Sequence, residues 1–309
     1  MDKDRVRANN EKKIRWARLS IASNTLLVIF KFAVGFVSGS VSIISEAIHS
    51  TNDLVASIVA WLSVRKSSMP PDRSHTYGHG KIENLSGAFE AILIFVAALL
   101  IIFEAIRRMA TDATVEFLEV GILVMLISSV LNFFVSKKLL IVARETESVA
   151  LEADGWHLRT DVYTSAGVLF GLFLIRITDI HILDPIVAIL VALTITKAAY
   201  DLTRKSLFDL MDASIEEEDR RKIIEVLEEH YPQYLDFHDL RTRRSGPQIH
   251  IDLHLTVHKT QTIKDAHDIT EHLEQDIKEI FPDVSVIIHV EPCNGECNHC
   301  TLSCEKKDS

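Results

Sequence analysis

Hydrophobic residues are distributed unevenly along the chain and divide it into two parts. Residues 14–205 contain long apolar runs, whereas residues 206–309 are charged and rich in histidine. An α-helix needs about 20 mainly apolar residues to cross the hydrocarbon core of a bilayer. The stretches that meet this requirement are approximately residues 16–37, 41–64, 85–106, 115–136, 147–174 and 182–202. The first part of the chain therefore predicts an α-helical membrane domain of six transmembrane helices.

Basic residues are concentrated in alternate connections between these predicted spans. The N-terminal arm and the links between spans two and three and between spans four and five are basic. The opposite side has only Arg107, Arg108 and Arg176. Cytoplasmic loops carry an excess of Lys and Arg, so we expect both termini in the cytoplasm. The N-terminal segment lacks the short apolar run of a cleaved signal peptide.

The hydrophobic pattern after residue 205 predicts a small cytoplasmic α+β domain. The expected elements are a helix at 214–230, strands at 234–243 and 248–258, a helix at 263–281 and a strand at 284–290. Ser214 and Glu217 are expected to form a capping box at the start of the first helix. The order αββαβ predicts a ferredoxin-like or metallochaperone-like sandwich in which helices cover one face of the sheet.

A cysteine-rich tail is the third predicted segment, so the expected division is 1–205, 206–292 and 293–309. All four cysteines of the chain lie in this tail, at Cys293, Cys297, Cys300 and Cys304. The fold is therefore not expected to depend on disulfides. In a reducing cytosol the spacing, with His299 inside it, predicts a metal-binding appendage. The alternative is a tail with idle thiols.

One pattern of ionisable residues occurs in two of the predicted spans. Span two contains His49 and Asp53, span five contains His157 and Asp161, and an acid precedes each histidine by three residues. Ionisable groups inside a membrane span are costly and usually functional. Residues at positions i, i+3 and i+7 share one face of a helix, so each pair can point across the helix bundle. The preceding acids, Glu46 and Asp154, are either relay groups near this site or solvated charges.

Two imidazoles and two carboxylates from two helices would make a four-coordinate site. Such a mixed nitrogen and oxygen set suits Zn²⁺, whereas Mn²⁺ and Mg²⁺ prefer oxygen ligands alone. Cu²⁺ would bind more tightly still, so metal availability must contribute to selectivity. Metal binds neutral imidazole and ionised carboxylate, so binding releases protons. An inward proton gradient could therefore drive the metal outward.

These motifs resemble those of the cation diffusion facilitator family over residues 12–292. The resemblance includes the paired motifs, the loop from Pro71 to Lys81 (PDRSHTYGHGK), and the C-terminal segments HDLRTRRSGP and VIIHVEP. It implies a homodimeric metal/proton antiporter of a bacterial or archaeal cell membrane. The expected cargo is Zn²⁺, with Cd²⁺, Co²⁺ or Fe²⁺ as further candidates, and zinc is also expected as a regulatory ion.

The resemblance implies three metal sites. The transport site is His49, Asp53, His157 and Asp161; the loop site is Asp72, His75 and His79; the cytoplasmic site is His238, His254, His267, His289 and Glu291. The cytoplasmic site is expected to hold two metals between protomers, although the family has Asp at the position of Glu291. The family also implies an ion pair of Lys81 near the dimer interface, for which Asp212 is the candidate partner.

The residues themselves support the second and third sites. The spacing Asp-x-x-His-x-x-x-His is that of a three-ligand cluster with an open position, and the alternative is a solvated polar loop. Between residues 250 and 258, His and Asp alternate with apolar residues, so one strand face is expected to be rich in histidine and to lie away from the helices. His250, His258 and His272 are predicted to be surface histidines without a metal role.

Other function classes are less favoured by the sequence. The net charge of −10 and the lack of a basic recognition helix argue against a nucleic-acid partner. A membrane metalloenzyme would need an open metal position and a separate base. A metal sensor without transport would use the cytoplasmic domain as its output. We therefore expect a transporter rather than an enzyme.

Overall fold

The structure, a computed structural model, describes residues 2–110, 119–178, 180 and 182–293. These residues form eight α-helices and three β-strands. The helices are α1 (Asp2–Ser38), α2 (Val41–Ser67), α3 (Lys81–Ala110), α4 (Glu119–Thr146), α5 (Val149–Thr178), α6 (Leu183–Leu210), α7 (Glu217–Glu229) and α8 (Ile263–Ile280). The strands are β1 (Asp236–Ser245), β2 (Gln248–Val257) and β3 (Val284–Pro292). The chain divides into two compact units, Asn9–Phe208 and Met1–Ala8 with Asp209–Ser309.

Long helices make up the first unit, and they occur where the apolar stretches lie in the sequence. Within the described part of the chain, four of them are long and apolar enough to cross a membrane: Asp4–Ser38, Lys81–Arg107, Val120–Thr146 and Pro185–Leu210. Helices α2 and α5 are not among the four. These are the helices that carry the paired motifs, and the ionisable residues of the motifs reduce their hydropathy. Large apolar side chains on the outside of the unit, such as Leu26 and Phe103, would face lipid.

Helix α5 is held centrally in this unit by close packing against α2, α3 and α4. Gly87 on α3 permits part of this contact, because a Cβ atom there would lie 2.6 Å from Val149 Cγ1. Gly155 on α5 permits close contact with α4, because a Cβ atom there would lie 2.9 Å from Leu140 Cγ. Side chains larger than hydrogen at these positions would push α5 away from its neighbours. The two glycines therefore help to position the motif that follows on α5.

The second unit contains a three-stranded sheet in the order β1-β2-β3. Strand β2 pairs with β1 in antiparallel and with β3 in parallel orientation. The odd-numbered residues of β2, from Ile249 to Val257, are buried and pack with Ile223 and Leu227 of α7 and Leu273 of α8. The helices therefore cover one face of the sheet, and the even-numbered positions lie on the other face. A small α+β domain is confirmed.

The predicted capping box at the start of α7 is wrong. The helix begins at Glu217 after Glu216, whose side chain makes no capping hydrogen bond. Ser214 instead lies with its hydroxyl oxygen 2.8 Å from that of Thr242 on β1, so it is engaged by the sheet. A capping box is present at the start of α8, where Thr262 and Asp265 bond to each other's backbone amides. The hydroxyl and the backbone amide of Thr262 both donate to the Asp265 carboxylate and lower its pKa.

Candidate metal centres

Three of the four predicted transport-site residues lie together in the helical unit. Asp53 of α2 and His157 and Asp161 of α5 have ligand atoms that all lie within 4.8 Å of one another. His157 Nε2 is 3.1 Å from Asp53 Oδ1. Asn132 of α4 donates to Asp161 Oδ2 at 3.5 Å. The paired helices therefore direct an imidazole and two carboxylates to one point, as their spacing predicts.

The fourth predicted residue, His49, lies at the edge of this group. Its side chain is 56% exposed, and its Nε2 is 4.0 Å from Asp53 Oδ1. Two ligands of one tetrahedral Zn²⁺ are about 3.4 Å apart, since each bond is about 2.1 Å long. His49 also lines the same cavity of about 180 Å³ as Asp53 and Asp161. A small inward shift of the His49 ring would complete a set of two nitrogens and two oxygens.

The acids that precede the two motifs have different environments. Glu46 accepts a hydrogen bond at 2.8 Å from Lys31 Nζ, which also donates to Ser50 at 2.7 Å. Lys31 is buried and lines the same cavity. Asp154 is completely buried and accepts a hydrogen bond from Ser57 at 2.8 Å. The alternative that Asp154 is a solvated charge is therefore wrong, because its side chain is shielded from solvent and bonded to α2.

The three residues of the predicted loop site also come together. Ligand atoms of Asp72, His75 and His79 lie within 4.8 Å of one another. His75 Nδ1 is 3.5 Å from Asp72 Oδ1, and His79 Nε2 is 3.3 Å from Asp72 Oδ2. The backbone amides of His75 and Ser74 donate to Asp72 Oδ1 and lower the pKa of Asp72. The loop therefore holds an ionised carboxylate between two imidazoles.

Burial of His79 distinguishes this loop from a solvated polar segment. Its side chain is only 1% exposed, and neither ring nitrogen has a hydrogen-bond partner among the described residues, since the approach of Nε2 to Asp72 lacks hydrogen-bond geometry. A buried polar group without a partner is costly. A metal ion beside Asp72 and His75 would satisfy one of these nitrogens. The donor set, one carboxylate and two imidazoles, fits Zn²⁺ with one position open.

The sheet of the second unit places three histidines side by side. His238 of β1 pairs with His254 of β2, which pairs with His289 of β3. Glu291 lies among them, with carboxylate oxygens 2.9 Å from His254 Nδ1, 3.5 Å from His238 Nε2 and 3.6 Å from His289 Nε2. The ligand atoms of His238, His254 and Glu291 lie within 4.8 Å of one another. The longer glutamate side chain therefore reaches all three imidazoles.

Other predicted residues of this unit lie apart from the cluster. His267 is exposed on α8 and is not in the group that His238, His254 and Glu291 form in one protomer. His258 and His272 are exposed, as expected for surface histidines. The same prediction is wrong for His250, which is only 6% exposed. It lies on the same strand face as His254, between the half-buried residues Arg243 of β1 and Ser285 of β3.

The tail site and the membrane-edge ion pair remain predictions. Cys297, Cys300 and Cys304 lie outside the described residues. Cys293 is buried at the end of β3, where its amide donates to Val257 O at 2.9 Å. Asp212, the candidate partner of Lys81, lies 3.4 Å from Arg243 Nη1.

Sequence reasoning missed several buried charges of the helical unit. Lys13 donates to Glu83 at 2.9 Å, with side chains only 1% and 0% exposed. Glu90, an acidic residue within the apolar sequence of α3, is also completely buried. The sequence does contain a signal for Glu90, because acidic residues inside apolar spans are usually functional.

Comparison with known proteins decides the family. The model of the cation efflux transmembrane domain matches residues 17–211, and that of the cytoplasmic domain of cation efflux proteins matches residues 215–293. The chain belongs to the cation efflux family. Its relatives include the cation-efflux pump FieF of Shewanella oneidensis, 32% identical over 91% of this chain and 94% of the relative. FieF of Citrobacter koseri is 33% identical over 90% of this chain and 93% of the relative.

The cation efflux family is a family of transporters, and its member here is an integral membrane protein. A solved structure of the metal-bound C-terminal domain of the CzcD transporter from Thermotoga maritima is 28% identical. It covers 27% of this cation efflux chain and 100% of the domain, with a TM-score of 0.25.

Proposed function

We propose that this cation efflux protein exports a divalent metal ion, Zn²⁺ foremost, from the cytoplasm in exchange for protons. The observation that carries the proposal is the convergence of Asp53 with His157 and Asp161. With His49 these residues would form the transport site. Cd²⁺, Co²⁺ and Fe²⁺ are further candidate cargoes, because imidazole and carboxylate ligands accept all of them.

All six long helices are proposed to cross the membrane, with both termini in the cytoplasm. Helices α2 and α5 contain 27 and 30 residues. At about 1.5 Å per residue, each is longer than the roughly 30 Å hydrocarbon core. Asp53 and Asp154 of these helices are buried inside the unit, so their charges would be kept from lipid. The distribution of basic residues supports the proposed orientation.

Exchange of metal for protons would follow from the ligand types. A metal ion binds the deprotonated carboxylates of Asp53 and Asp161 and the neutral imidazole of His157. Protons compete for the same groups, so protonation from outside would favour release of the metal there. The cavity beside His49 and Lys31 gives the site one open side in this structure. Transport would require a second state in which the site opens toward the cytoplasm.

The other two clusters are proposed to bind regulatory zinc. The strand cluster around Glu291 would hold metal at the interface of a homodimer, with His267 contributed across it. The loop cluster of Asp72, His75 and His79 would bind a further ion at the cytoplasmic surface. The tail cysteines would form an additional soft-ligand site.

Zinc flux into proteoliposomes tests this function. We expect Asp53→Asn and His157→Ala to abolish flux, whereas His272→Ala, which changes an exposed histidine of α8, retains it. An imposed pH gradient should accelerate flux by the unmodified protein. Flux through Asp53→Asn and His157→Ala equal to that of His272→Ala would contradict the proposed site, and no zinc flux through the unmodified protein would leave a sensor or an enzyme. Zinc flux without proton movement would contradict the exchange for protons but not zinc transport itself.

A further inference from the structure

A second group of polar side chains is buried where α1, α2 and α5 meet. Ser57 of α2 donates to Asp154 Oδ1 of α5 at 2.8 Å. Asn24 of α1 donates to the Ser57 hydroxyl at 2.7 Å, and the hydroxyl of Ser20 lies 3.2 Å from it. All four residues are buried. They join one buried carboxylate, through the Ser57 hydroxyl, to further hydroxyl and amide groups inside the helical unit.

Glu90 of α3 is a separate observation that points to a missing ligand. Its side chain is 0% exposed, and neither of its carboxylate oxygens has a hydrogen-bond partner in the described part of the chain. Asp154 Oδ2 also lacks one there. Ala91 and Ala153, the chain neighbours of Glu90 and Asp154, pack in one buried cluster, so the two carboxylates lie where α3 contacts α5. Buried carboxylates without partners are strongly unfavourable unless a cation or a proton neutralises them.

The buried group lies on the opposite side of the transport site from the cavity. Along α2, Ser57 comes one turn after the transport-site aspartate, whereas Glu46 comes before it and lines the cavity. Along α5, Asp154 comes one turn before the transport-site histidine, whereas Val168 comes after the motif and lines the cavity. The two features therefore flank the transport site along the bundle.

The same end of the bundle is closed by a buried ion pair. Glu83 comes two turns before Glu90 on α3, and it accepts hydrogen bonds from Lys13 at 2.9 Å and from Ser67 at 2.5 Å. Ser148, at the start of α5, also donates to Glu83. Lys13 belongs to the basic N-terminal arm, so this is the cytoplasmic end in the proposed orientation.

We propose that Glu90 and Asp154 form an inner cation-binding site that receives the transported divalent ion from the cytoplasm before it reaches His157. This inference rests on the proposed function. Two carboxylates supply the charge that neutralises a dication, and the hydroxyls of Ser20 and Ser57 supply further oxygen ligands. An all-oxygen set holds Zn²⁺ less firmly than a set that includes imidazole. The ion can therefore move on from the inner site to the transport site.

Zinc uptake by inside-out vesicles tests the inner site, because the cytoplasmic face is then outside. We expect Glu90→Gln to raise the apparent KM for zinc by about tenfold or more, while Glu104→Gln leaves it unchanged. Glu104 is a matched control, since it lies on the same helix with a side chain 46% exposed. An unchanged KM for Glu90→Gln, with flux lost in Asp53→Asn, overturns the inference and leaves the proposed function intact. Unchanged flux in Asp53→Asn overturns the proposed function itself.

A chemical measurement keeps Glu90 in place and so does not depend on the folding of a Glu90 variant. A carbodiimide that modifies buried carboxylic acids is applied to the Asp53→Asn protein, and the modified Glu90 peptide is quantified by mass spectrometry. Zinc should suppress this modification, because the inner site binds zinc without an intact transport site. Modification that zinc does not change in this variant overturns the inference.

Discussion

His157 of α5 and Asp53 of α2 lie 3.1 Å apart, joined through Nε2 and Oδ1. They are 104 residues apart in sequence and come from the two motif-bearing helices. The contact ties the two helices at the point where the ligands meet. A metal ion that replaced this contact would keep both residues as ligands, so little rearrangement of α2 and α5 is needed to load the site.

Replacing His49 should change which metal is transported. His49→Asp converts the ligand set from two nitrogens and two oxygens to one nitrogen and three oxygens. Oxygen ligands favour Mn²⁺ relative to Zn²⁺, so the ratio of Mn²⁺ to Zn²⁺ flux in proteoliposomes should rise. His258→Asp, which makes the same change at an exposed position, serves as the control. A flux ratio equal to that of the unmodified protein would remove His49 from the ligand set.

Loss of the acidic partner should destabilise the protein much more at Lys13 than at the adjacent Lys12. Lys13 and Glu83 are buried, so Glu83→Gln leaves a buried ammonium unpaired and should destabilise the protein by about 3–5 kcal/mol. Lys12 and Glu145 are 42% and 50% exposed, so Glu145→Gln should cost only about 0–1 kcal/mol. Unfolding of the purified protein in detergent measures both. Equal shifts in unfolding midpoint for the two variants would contradict the burial of the first pair.

The carboxylate of Glu291 should be essential for zinc binding to the strand cluster. Glu291→Gln removes the group that contacts three imidazoles and should weaken binding by at least about tenfold. Glu291→Asp keeps the charge and should bind more tightly than the glutamine variant. Calorimetry uses protein that carries Asp53→Asn and Asp72→Asn, so that the zinc binding lost in Glu291→Gln belongs to the strand cluster, and Glu279→Gln, at an exposed position of α8, is the matched control. Unweakened binding by Glu291→Gln would exclude Glu291 as a ligand.

The pH dependence of the loop site should come from its histidines and not from Asp72. Backbone amides lower the pKa of Asp72 below its usual value, so this carboxylate remains ionised throughout the range from pH 7 to 5. Zinc affinity should fall toward lower pH, because zinc binds neutral imidazole and protons compete with it for the ring nitrogens. Asp72→Asn should lower the affinity by the same factor at each pH. Titrations in which this variant shows a flatter pH profile would contradict the assignment.

The shared helix face of the α5 motif and the small α+β domain could be predicted from sequence because both depend on short-range periodicity. Positions of His157 and Asp161 on one helix face follow from the helical repeat, and the apolar face of β2 follows from strand alternation. Burial of Asp154 and His250 depends instead on how neighbouring elements pack. The same is true of Ser214, whose hydroxyl is drawn to Thr242 rather than to the start of a helix. Such contacts join residues distant in sequence, and no local pattern encodes them.

Anomalous X-ray scattering at the zinc edge, from crystals of the zinc-loaded protein, tests the central claim most directly. We predict a zinc peak between α2 and α5, about 2.0–2.2 Å from ligand atoms of Asp53, His157 and Asp161. The peak should disappear in Asp53→Asn crystals while peaks at the loop and strand clusters remain. Zinc peaks at those two clusters with none between α2 and α5 in the unmodified protein would contradict the account.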